Sequence, residues 1–188
     1  MTKPKKYLMI DVECLDVKSS AVIVSIGAVV FDKNGLNNAK FYLPVDIQSA
    51  IDVGCTISGN TLQWFMRQSN EARAVFQDKS AVPLKTASIG LKNYVYKTCS
   101  SYRNIHMVGN SARFDLGIIE NAYHACDLEP FWNPFLERDY RTYKNLKGAK
   151  PITRHSGGNS ATHNSLQDAL EQAEHLVQLN EQFGGILL

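Results

Sequence analysis

Three apolar, β-branched blocks near the N-terminus constrain this chain more than any other feature. They are Tyr7 to Ile10, "AVIVSIGAVVFD" from Ala21 to Asp32, and "AKFYLPVD" from Ala39 to Asp46. With a turn at Asp32-Lys33-Asn34-Gly35, they read as three consecutive antiparallel strands. The pattern then becomes helical: "NTLQWFMRQ", "SNEARAVF" capped by Ser69 or Asn70, and "PLKTASIGLKNYVYKTC", with an inner stripe expected at Leu84, Ala87, Ile89, Leu91 and Val95. A fourth strand, "NIHMVGN", runs into the helix "ARFDLGIIENAYHAC". A mixed basic stretch from Pro130 to Lys150 and a loop with Gly157-Gly158 follow, then the helix "SLQDALEQAEHLVQLNEQF", closed by Gly184-Gly185. Strands first, then strands alternating with helices, predict an α/β fold with a mixed sheet covered by helices. A length of 188 residues with 44% hydrophobic content suits one domain over residues 1–188.

The first strand ends on two carboxylates, Asp11 and Glu13, in "YLMIDVEC". Side chains alternate along a strand, so both point to one face, with Val12 opposite. Burying unpaired carboxylates is costly, so that face needs a cation, water or protons. An isolated D-x-E is more often a solvated strand end, and Asp127-Leu128-Glu129 before Pro130 repeats the motif in such a setting. Three more residues can converge on the Asp11/Glu13 face. Asp115, in "GNSARFD", taken alone reads as a favourable acid at a helix N-terminus, and Asp168 as a solvated helix residue. His163 precedes Asp168 by five residues, and five helical steps leave two side chains about 140° apart. The pair converges only if His163 lies on a loop or first turn and curls back, which the cap-type neighbours Thr162 and Asn164 permit.

D-x-E on a first strand, an Asp after a fourth strand and H-x-x-x-x-D near the C-terminus resemble the DEDD exonucleases, in their histidine-bearing branch. "AVIVSIGAVVFD", "TLQWF", "RDYRT" and "HNSLQDA" are similar to stretches of RNase T-like exoribonucleases and phage single-strand exonucleases, and the resemblance runs from Tyr7 to about Gln182. It implies an RNase H-like fold of the DnaQ exonuclease type and a metal-dependent 3′-to-5′ exonuclease acting on single-stranded DNA or RNA. Carboxylates are hard oxygen ligands suited to Mg²⁺ or Mn²⁺, and two ions about 4 Å apart can serve an in-line displacement at phosphorus. By resemblance, Asp11 bridges both ions, Glu13 and Asp168 hold one, Asp115 supports the other, and His163 is the general base. An imidazole, with an ordinary pKa of about 6.5, can take a proton at neutral pH. The family commonly has Thr directly after D-x-E; this chain has Cys14, and a thiol is a weaker hydrogen-bond partner than a hydroxyl. An endonuclease of the same general fold, or a non-catalytic nucleic-acid-binding module, are the competing readings. The second predicts a lost carboxylate, and none is lost.

For substrate contacts the sequence offers Arg138, Arg141, Lys144, Lys147, Lys150 and Arg154, interleaved with Tyr140 and Tyr143 and countered by Asp139. Such a run suits phosphates and stacked bases, and equally a solvated basic helix face. Leu15, beside the ligands, is expected to wedge against a terminal base. Trp64 and Phe65 suit either a base-stacking platform or the core, and the core is the favoured reading. The net charge of +2 is too small to argue for nucleic acid by itself. No apolar stretch reaches the length of a membrane span, and the Lys3-Pro4-Lys5-Lys6 start leads into no signal-peptide core. A cytoplasmic protein is expected. Cys14, Cys55, Cys99 and Cys126 lack metal-site spacing and read as buried free thiols. Single-domain members of the resembling branch are often homodimers, so a homodimer is also expected.

Overall fold

The computed structural model describes residues 5–100, 102–153 and 163–185; Lys3-Pro4, Arg154, Gly157-Gly158 and Thr162 lie outside them. Strands β1 (Tyr7–Cys14), β2 (Ile23–Asp32) and β3 (Gly35–Pro44) pair antiparallel in sequence order, as their apolar patterning predicts. Helices α1 (Ile47–Asp52), α2 (Gly59–Met66), α3 (Asn70–Arg73) and α4 (Leu84–Thr98) then lead to β4 (His106–Gly109), which lies parallel to β1. Helix α5 (Gly117–Ala125) precedes β5 (Glu137–Asp139), parallel to β4, and α6 (Tyr140–Lys144) and α7 (Ser165–Gln182) complete the order. The sheet runs β3-β2-β1-β4-β5 and is mixed, with helices on both faces.

Strand β1 is central and buried along its whole length. Its even-numbered apolar residues Leu8, Ile10 and Val12 belong to the core formed with Leu91 and Val95 of α4 and Ile119 and Tyr123 of α5. Tyr7 and Met9 join the opposite core, with Ala169, Ala173 and Leu176 of α7. Each fully buried Leu or Ile stabilises the fold by about 1.5–3 kcal/mol. The same alternation turns Asp11 and Glu13 toward α7. Gly27 sits across from Asp11 in β2, and α7 begins directly against it, so that a Cβ there would collide with the backbone of Ser165 and Leu166. A 2.9 Å bond between the hydroxyls of Ser25 and Ser165 pins the same helix start.

Several local expectations are corrected. A helix that the sequence pattern does not predict, α1, follows β3; Asp46, expected at the strand end, caps it by accepting from Gln48 N–H. The basic stretch contains β5, a half-buried edge strand of three residues with no apolar alternation to mark it. In α4 the inner stripe takes Ser88 (1% exposed) and leaves Ile89 outside (41%), because Ser88 lies one turn from Leu84 and Leu91 while Ile89 is rotated off that face. Ser88 is accommodated by bonds from its hydroxyl to the Leu84 carbonyl and from Tyr123 Oη–H to its own carbonyl. Phe65 is in the core, whereas Trp64 is 44% exposed. Leu15 does not face a substrate: it is 1% exposed and packs in the core on the α4/α5 side. The pairing register shifts between Glu13 and Cys14, which breaks the alternation that would have put Leu15 beside Glu13. All four cysteines are buried and free.

Candidate active site

Carboxylate oxygens of Asp11, Glu13 and Asp168 lie within 4.8 Å of one another. The first two come from the α7-facing row of β1, and Asp168 from the first turn of α7, which the absence of a side chain at Gly27 lets approach. Asp115 is outside this tight trio but lines the same cavity of about 340 Å³, with Asn110, Arg141, Lys144, His163 and Gln172 also in the wall. It lies in a π-helical turn (Ala112–Leu116) between β4 and α5, the kind of widened turn found at functional sites. Its Oδ2 accepts from Ser111 N–H at 2.9 Å, and a Cβ on Gly109 would come within 2.9 Å of its own Cβ. The four carboxylates are each between 3% and 8% exposed.

Crowding shows in the proton affinities of Asp11, Glu13 and Asp115. Burial, then the neighbouring Asp115, Glu13 and Asp168, raises Asp11 well above the usual carboxylate range, against the opposing bond from Gln172. Burial, followed by Asp168 and Asp115, pushes Glu13 to about 8. Asp115 rises to about 6 through burial, restrained by N–H donors including Ser111 and Val12 and by the nearby Arg141 charge. A set of oxygen donors that holds protons this firmly for want of counter-charge fits divalent cations. An orphaned acceptor agrees with that fit: Gln172 Oε1 is buried in the wall with no hydrogen-bond partner among the described residues.

His163 satisfies the condition set by its spacing. Asn164 is the N-cap of α7, accepting from Gln167 N–H at 3.0 Å, and His163 just before it has φ of 53°. That left-handed conformation costs a non-glycine residue about 1–3 kcal/mol and folds the chain back to put the imidazole on the cavity. Trp64 meets the ring edge-on, with centroids 4.9 Å apart.

Of the substrate residues expected from sequence, Tyr140, Arg141 and Lys144 line the cavity, whereas Arg138, Tyr143 and Leu15 do not. Arg138 donates to the carbonyls of Glu137 and Phe135, and its charge is felt at Tyr7 and His106. Tyr143 packs against the α7-side core, and Leu15 is buried as described. Asn110 and Gln172, which the sequence did not single out, add polar groups to the wall. Lys144 reaches the cavity from α6, its Nζ 3.5 Å from Asn110 Oδ1. Asp139 ties α6 to the Asp115 turn, accepting from Ala112 N–H at 3.0 Å and Thr142 N–H at 2.8 Å. Burial opposes its charge, but those bonds hold it below the ordinary value. Beside the acidic cavity, and sharing Val12, Glu13 and Phe114 with it, is a second one of about 390 Å³ walled by Trp64, Val17, Asn60 and Cys14. The Cys14 thiol donates to the Asp16 carbonyl at 3.2 Å and, raised to about 12 by burial, stays protonated. The pair Asp168 and Gln172, one helical turn apart, was the available sign that Gln172 shares the site.

Solved structures with similar folds include cell-death related nuclease 4 (CRN-4), at TM-score 0.63 and 12% identity over 96% of this chain. The chain spans 64% of the CRN-4 chain. The nuclease domain of 3′hExo, a DEDDh family member bound to rAMP, is similar at TM-score 0.61 and 14% identity, over 97% of this chain and 94% of that one. Curated protein sequences give no significant match. The fold is therefore the RNase H-like fold of DEDDh exonucleases. Residues 6–179 match the 3′-5′ exoribonuclease Rv2179c-like domain, and the chain belongs to that family of nucleases.

Proposed function

We propose that this 3′-to-5′ exonuclease removes nucleoside monophosphates from single-stranded RNA or DNA with two divalent ions, Mg²⁺ or Mn²⁺, held by Asp11, Glu13, Asp115 and Asp168. The observation that carries the reading is the carboxylate trio within 4.8 Å, drawn from β1 and α7, with His163 on the same cavity. Ions bound there supply positive charge to the phosphate and activate the attacking water. His163 takes the proton from that water as the new P–O bond forms and the bond to the preceding nucleotide's 3′ oxygen breaks. Arg141 and Lys144, which line the same cavity, offset phosphate charge. Trp64 and Phe114 form an apolar slot for the terminal base, a role assigned to them in place of Leu15.

On the same reading, residues 1–188 act as one exonuclease domain. The four buried free thiols suit the reducing cytoplasm. Phe135, 87% exposed beside Arg138, suits a homodimer contact, and a monomer mass by light scattering at micromolar concentration would remove that part. No helix among the described residues is long and apolar enough to cross a membrane. The direct test is digestion of 5′-labelled RNA and DNA oligonucleotides with Mg²⁺, Mn²⁺ or chelator. A ladder shortening one nucleotide at a time from the 3′ end, abolished by chelator, is expected. Undiminished cleavage in excess chelator would end the two-ion reading.

A further inference from the structure

Gln172 takes no part in the family resemblance, yet it is among the most constrained polar side chains of the cavity. It lies one turn beyond Asp168 on α7, is 5% exposed, and donates from Nε2 to Asp11 Oδ1 at 2.9 Å. The other end of the amide, Oε1, is buried without a partner among the described residues. Helix docking does not need this side chain. Ala169, Ala173 and Leu176 already seat α7 on the sheet, the Ser25–Ser165 bond fixes its start, and Gly27 sets its distance. A buried amide with one end on a metal-ligand carboxylate and the other unsatisfied is costly to the empty protein and becomes favourable only when a donor arrives.

We infer that Gln172 is a positioning residue for the metal centre, turning Asp11 into its ligating orientation through Nε2 and accepting at Oε1 a hydrogen bond from a water in the coordination shell. The inference rests on the proposed metal site and concerns a residue outside its ligand set. Two features follow from the geometry. An ionised Asp11 can be met only by the N–H end of the amide, which fixes the amide's orientation and leaves the carbonyl end for the donor. With one oxygen of Asp11 engaged by Gln172, the other is left for cations. Outer partners of this kind typically change metal affinity by about 10- to 100-fold when removed.

The test compares wild type, Gln172→Met and Gln172→Leu, two apolar replacements of similar size, by calorimetric Mn²⁺ titration and by melting in chelator and in Mn²⁺. The expected result is melting in chelator at or above the wild-type temperature, Mn²⁺ affinity weaker by about 10- to 100-fold, and a smaller Mn²⁺-induced rise in melting temperature. Wild-type Mn²⁺ affinity in either folded variant overturns the inference and leaves the metal site standing. Failure of both variants to fold in chelator also overturns it, since the amide would then be structural. A wild-type protein that binds no Mn²⁺ refutes the metal site itself, and Gln172 with it.

Discussion

Replacing Glu13 by Gln should stabilise the ion-free protein while removing its activity. Glu13 is 8% exposed, and burial, Asp168 and Asp115 carry its carboxyl from an ordinary 4.5 to about 8. Because the folded state holds its proton more tightly, the unfolded chain ionises first as pH rises. The resulting penalty on folding is absent below about pH 4.5, grows through neutrality and is complete above about pH 8. At about 1.4 kcal/mol per pH unit, it reaches roughly 3 kcal/mol at pH 7 and stays under about 1 kcal/mol at pH 5. Glutamine has nearly the same shape and no charge to lose. For a chain of this size, Glu13→Gln should therefore raise the melting temperature in chelator by roughly 6–12 °C at pH 7 and by little at pH 5. With Mn²⁺ present the order should reverse, because the wild type gains an ion and the variant has lost a ligand. Differential scanning calorimetry at the two pH values, with and without Mn²⁺, measures all four quantities. A variant no more stable than wild type in chelator at pH 7, or stabilised equally at pH 5, would refute the account of the crowded carboxylates.

His163→Ala should keep Mn²⁺ affinity and lose about 10²- to 10⁴-fold in single-turnover rate together with the acid limb of the pH profile; an unchanged rate and profile in the folded variant would remove His163 from the chemistry. Gly27→Ala should cost at least about 1–3 kcal/mol and weaken Mn²⁺ binding at the same time, since the new methyl forces Ser165 and Leu166 away and carries Asp168 with them. Melting and titration of that variant check both effects, and wild-type Mn²⁺ affinity would contradict the role given to Gly27.

What could be read from sequence was whatever local pattern dictates. The alternation of β1 placed Asp11 and Glu13 on one face, and the five-residue step from His163 to Asp168 already required a backbone reversal, which the φ of 53° supplies. The helix of Asp115 was legible because a strand, a turn and an acid follow one another directly. Hidden features depend on partners distant in the chain. Strand β5 has three residues and exists through its pairing with β4, so no periodicity announces it. Leu15 lies next to the ligands in sequence, but the register shift at Glu13/Cys14 and its burial turn it into the core, and no residue type marks that shift. Asp139 looked like a lone negative charge in a basic run until Ala112 and Thr142 were seen to share it. Trp64 and Phe114 face one cavity from segments 50 positions apart, a proximity that only the fold creates.

The order in which the cavity's parts occur along the chain has a consequence for biosynthesis. Asp11 and Gln172 are bonded across 161 residues, and the Ser25–Ser165 contact spans 140. Contacts of such separation close late, because the loop entropy is lost before they can form. A partly folded chain holding only β1 to β4 would carry Asp11 and Glu13 but neither Asp168 nor His163, and on the proposed mechanism it has no hydrolytic capacity. On that mechanism the carboxylate set is complete, and cleavage can begin, only when α7 has docked against β1 and β2.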